Sequence, residues 1–140
     1  MSGGYIQCGD FMGSDKSGSA ISGLIDALPE FVASADQSFV EVVVAPLREA
    51  LANCQEYILV EPNIAALLIP ALESFNARVG QELGYPEPWD APAKDEDTGL
   101  APTEAKWGKG KGWQFYCAHD LLQACRVSAE TREPICVSFD

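Results

Sequence analysis

The chain has 140 residues, with 21 Asp and Glu against nine Lys and Arg, so its formal charge is -12 while 47% of its residues are hydrophobic. Such a surface repels phosphate backbones and attracts basic proteins, which removes nucleic acid from the expected partners, and the apolar content is too high for a wholly disordered acidic chain. One domain spanning 1–140 with an unstapled core is expected, since a chain of about 150 residues buries roughly 68–70% of its unfolded surface.

Met1 to Cys8 has neither a basic start nor an apolar stretch of signal-peptide length, so a cytosolic location is expected. Tyr5 to Met12 is apolar and reads as a short first strand, followed by the loop composition of Gly13 to Ser19. From Ser19 onward Ile21, Leu24, Ile25, Leu28, Phe31 and Val32 form the stripe of an amphipathic helix, which Pro29 should kink or restart. Ser38 with Glu41 has the spacing of a capping box. Phe39, Val40, Val43, Val44, Leu47, Leu51 and Cys54 then share a helical face. The β-branched run Val42-Val43-Val44 before Pro46 leaves a strand open for residues 39–44, with helix preferred.

Tyr57-Ile58-Leu59-Val60 reads as a strand ended by Pro62, and helical spacing resumes from Asn63 to Leu83. The longest apolar run, Ile64 to Leu72, is broken by Pro70 and falls short of the roughly 20 residues that cross a bilayer. Residues 84–112 carry Pro86, Pro88, Pro92 and Pro102 without periodicity and form a long Pro/Gly-rich acidic loop. Beyond it, Trp113 to Cys117 alternates as a strand, Ala118 to Arg132 reads as a helix and Ile135 to Phe139 as a closing strand. The two strands are expected to share a sheet. The expected class is α+β: N-terminal amphipathic helices packed on a small sheet, with a C-terminal strand-helix-strand unit.

Chemistry-bearing patterns are sparse. Five cysteines at irregular spacing fit reduced core thiols better than a disulfide framework. Cys117, His119, Cys125 and Cys136 lack the paired spacing of structural zinc, so no metal and no cofactor is expected. Cys117, expected where a strand meets a helix N-terminus, with His119 two residues on, is the one thiol–imidazole candidate for a small enzyme under a loop lid. A buried inert thiol and a surface histidine is the preferred reading. An acid pair is the other enzymatic alternative. Gly108 to Gly112 fails both the Walker and the dinucleotide patterns.

The remaining constellation is the long loop, where Trp89, Asp90, Asp95, Glu96, Asp97, Glu104 and Trp107 combine hot-spot aromatics with acids that pair with Arg and Lys. Residues 1–83 hold eleven acids against three basic residues, whereas 84–112 hold six against four. Long-range attraction therefore comes from the helical part and specific contact from the loop. With the run Gly112 to Cys117 and on through Pro134-Ile135-Cys136-Val137, this small acidic chain resembles, at the level of class, the immunity proteins that bacteria make against polymorphic or contact-delivered toxins. That resemblance implies a one-to-one inhibitor of a cognate, basic toxin domain. An acidic adaptor or homodimer is the third possibility.

Overall fold

The computed structural model describes residues 3–13, 16–32, 37–53, 56–83 and 111–139. Strand β1 (Gly3–Cys8) reverses through Gly9-Asp10 into β2 (Phe11–Met12), with Gly9 at φ 57, the left-handed backbone that a two-residue hairpin loop asks of its first position. β3 (Lys16–Ser17) returns along the same edge of β1. Between the two pieces, the Gly13 N–H donates to the Ile6 carbonyl at 2.8 Å. β4 (Tyr57–Val60) and β5 (Ile135–Phe139) complete an antiparallel sheet in the order β2-β1-β5-β4, with β3 also on β1. The last strand of the chain is thus central, with Val137 between Ile6 and Ile58.

Helix α1 (Gly18–Ala27) passes into a 3-10 turn at Leu28–Phe31 opened by Pro29, the restart expected from that proline. Next, α2 (Gln37–Phe39), a π turn at Val40–Val44 and α3 (Ala45–Ala52) follow one another without a break. Residues 39–44 are therefore helical, and Pro46 explains their wide turn. Its ring nitrogen has no proton for the Val42 carbonyl and its ring would press on it. The chain instead places an i−5 bond, Ala45 N–H to Val40 O, just ahead of the proline. Helical structure begins at Gln37, so Ser38 lies inside the first turn, not ahead of it.

Glu61 lends its carbonyl to the N–H groups of Ile64 and Ala65 at the start of α4 (Pro62–Leu83), where Pro62 occupies a position that needs no donor. The final helix, α5 (Lys111–Thr131), ends on Arg132 at φ 65, whose N–H donates to the Ser128 carbonyl at 2.8 Å. No helix among the described residues is long and apolar enough to cross a membrane.

The α+β class stands, yet residues 113–117, expected as a strand, belong to α5, and β5 pairs with β1 and β4 instead. Six consecutive residues of α5, Cys117 to Leu122, are all buried. Aromatic residues just before that stretch carry β propensity. α5 packs most extensively against α4, and also against α1 and β1.

Leu24, Leu28, Val43, Val44, Leu68, Leu72 and Phe75 meet Ile6 and Ile135 in the core between helices and sheet. Each such side chain contributes about 1.5–3 kcal/mol by leaving water. The ion pairs Arg48–Asp26 (2.7 Å) and Arg126–Glu73 (3.2 Å) are half exposed, and pairs of that kind contribute about 0–1 kcal/mol. Apolar burial, not ion pairing, offsets the self-repulsion of the acidic surface.

Candidate functional site

The loop residues singled out for binding, Trp89, Asp90, Asp95, Glu96, Asp97, Glu104 and Trp107, lie outside the described residues. Cys117 and His119 lie within them, in the body of α5, six and eight residues past its first residue and not at its N-terminus. Positions two apart in a helix leave its axis roughly 200° apart. Both are buried, so the expected surface histidine is an interior one, covered because α5 is the central helix. The thiol and the imidazole therefore leave α5 on nearly opposite sides of its axis.

Two further thiols, Cys8 and Cys125, behave as core atoms. Cys8 and Cys125 are buried, and the Cys8 Sγ donates to the Glu133 carbonyl at 3.5 Å. Burial, and then the nearby Cys8 thiol, pushes Cys125 up to about 12. Burial, followed by the Glu133 carboxylate, raises Cys8 as well. Neither is the low-pKa thiolate that nucleophilic chemistry uses. Among the described residues, no three His, Cys, Asp or Glu side chains gather as a metal site would require.

Two surface features remain. One is an open groove of about 660 Å³ lined by Phe31, Phe39, Leu67, Pro70 and Arg78 among others. Arg78 closes one wall, its guanidinium carbon 4.4 Å from the Phe31 ring centre, and Phe31 stacks at a tilt on Phe75 at 4.9 Å. The second is the outer face of the sheet. Alternation sends Ile6, Cys8, Ile58, Val60, Ile135 and Val137 to the core and leaves their neighbours facing away.

Register arranges those neighbours in two rows. Met12, Gln7, Cys136 and Leu59 follow one another across four strands, and Tyr5, Ser138 and Tyr57 across three. None of them is charged. Met12 is 62% exposed, Tyr57 56% and Leu59 50%, which puts on this one face three of the five large exposed hydrophobics among the described residues. Carboxylates flank it along the chain: Glu56 before β4, Glu61 after it, and Asp10 in the β1–β2 turn at the same end as Glu61, all exposed. Sequence reasoning missed this face because Tyr57-Ile58-Leu59-Val60 is apolar throughout, and such a run reads as a strand covered on both sides.

Comparison with protein-family models, with curated proteins and with solved structures returned no match.

Proposed function

We propose that the chain is an acidic, cytosolic binding protein that engages a basic protein one-to-one, and that it acts as an immunity-type inhibitor of a cognate toxin. The observation that carries this reading is the charge of -12 in 140 residues. Several of the acids are solvent-facing and spread over separate elements: Asp26 on α1, Glu41 in the π turn, Glu73 on α4 and Glu130 on α5. Two of the arginines, Arg48 and Arg126, are paired with Asp26 and Glu73.

Charge of one sign raises association rates with an oppositely charged protein toward about 10⁸–10⁹ M⁻¹s⁻¹ at low salt, and an inhibitor that protects a cell competes with damage. Trp89 and Trp107, with the acids between and beside them, are the proposed grip of the loop. Against the enzymatic alternative stands the position of Cys117 and His119, both buried and two residues apart within α5.

Co-expression with the protein encoded beside this chain tests the reading. A stable one-to-one complex on size exclusion, together with suppression of that protein's toxicity, supports it. A neighbour that is basic and toxic yet neither bound nor suppressed overturns it.

A further inference from the structure

Among the described residues, β4 pairs with β5 alone, so its other edge presents unpaired backbone N–H and C=O groups beside the uncharged outer face. We infer that this edge is a docking site for an extended segment of a basic protein, added to the sheet as a further strand next to Tyr57–Val60.

Three observations fix the chemistry of that segment. An edge strand recognises its guest through main-chain hydrogen bonds, with alternate side chains giving specificity. On the outer face, Tyr57 and Leu59 are half exposed and offer apolar contact to every second residue of the guest. At the two ends of the strand stand the exposed Glu56 and Glu61, which call for Lys or Arg at either end of the guest's apolar stretch. An apolar centre within an acidic rim has the layout of a protein interface, and the sign of the rim selects a cation.

A second copy of the chain fits this edge poorly. Two β4 strands joined antiparallel about a two-fold axis, with both outer faces on one side, would bring Glu56 of one to within one residue of the position opposite Glu61 of the other, between molecules that each carry -12. The sign of the guest's charge rests on the reading proposed above; the edge itself does not.

The test uses the full chain, the fluorescein-labelled peptide Lys-Val-Thr-Val-Thr-Val-Lys, and two variants at exposed positions, Leu59→Lys and the double variant Glu56→Lys/Glu61→Lys. Anisotropy should report binding to the native chain, and amide exchange at residues 57–60 should slow about tenfold in the complex. Both variants should weaken binding by about tenfold or more with an unchanged circular dichroism spectrum, and a Glu-ended peptide should prefer the charge-reversed variant.

Peptide binding with no slowing at 57–60, binding that neither variant changes, or no binding to the native chain overturns the edge assignment. If the variants still hold the neighbouring protein as tightly as the native chain does, the edge also falls, while the basic-partner reading stands. If the native chain ignores that protein but takes up the peptide at 57–60, the edge stands and the inhibitor reading falls. A dimer on sedimentation that Leu59→Lys dissociates would replace the basic guest by a second copy.

Discussion

The carboxyl group of Asp120 fills the space beside Gly13 that a side chain would otherwise claim: a Cβ placed on Gly13 would stand 2.8 Å from the Asp120 Cγ and 3.2 Å from its Cβ. Both residues are buried, one in the return from the first hairpin and the other in the middle of α5. Gly13→Ala should therefore cost about 1–3 kcal/mol by overpacking. In a double-mutant cycle with Asp120→Ala, the pair should lose less than the sum of the single changes. Chemical denaturation measures both, and strict additivity would contradict the contact.

Arg132 holds a left-handed backbone at the end of α5, a conformation that disfavours any side chain with a Cβ by roughly 1–2 kcal/mol. Glycine accepts it, though with a more flexible unfolded chain. Arg132→Gly should raise stability by about 0.5–1 kcal/mol, read as a higher urea midpoint at constant slope. A lower midpoint would show that the Arg132 side chain contributes more than its backbone conformation costs.

The fold was largely legible where one face of an element meets the core and the other meets water. The stripe from Ile21 to Val32, the 57–60 strand and the 63–83 helix are of that kind, and even the restart at Pro29 was readable. Legibility failed at the start of α5. From Ala118 on the helical period was readable, whereas the aromatic residues just before it carry β propensity and looked like a strand. Pairing is a different matter. That β5 inserts between β1 and β4 is a non-local choice, and with it came the uncharged outer face and its acidic rim, which no single segment encodes. The loop tryptophans and acids lie outside the described residues, so the part of the binding reading that rests on them remains a sequence argument.

Pro70 sits exposed within α4, where it deprives the Ala66 carbonyl of its helical donor. Pro70→Ala restores that bond. Part of the gain is offset because proline also restricts the unfolded chain, which leaves a net stabilisation of about 1–2 kcal/mol. Thermal unfolding should show the higher midpoint, and a decrease would mean that the packing of α4 requires Pro70.

Cys125 gives the stability a pH dependence of definite sign. Its ordinary value is 9.0 and its folded value about 12. Folding therefore holds a proton that the unfolded chain releases. The contribution is complete below about pH 9 and is lost as the pH rises toward 12. The unfolding free energy should fall between about pH 9 and 11 more steeply for the native chain than for Cys125→Ala. Equal slopes would show that the thiol is solvated in the folded state.

The central claim is electrostatic recruitment of a basic protein, and the association rate constant with the neighbouring protein at two ionic strengths tests it most directly. Stopped-flow measurements at about 20 mM and 300 mM salt, where the screening length shrinks severalfold, should show a rate that drops by at least about tenfold. A rate constant indifferent to salt, in a complex that nonetheless forms, would contradict it.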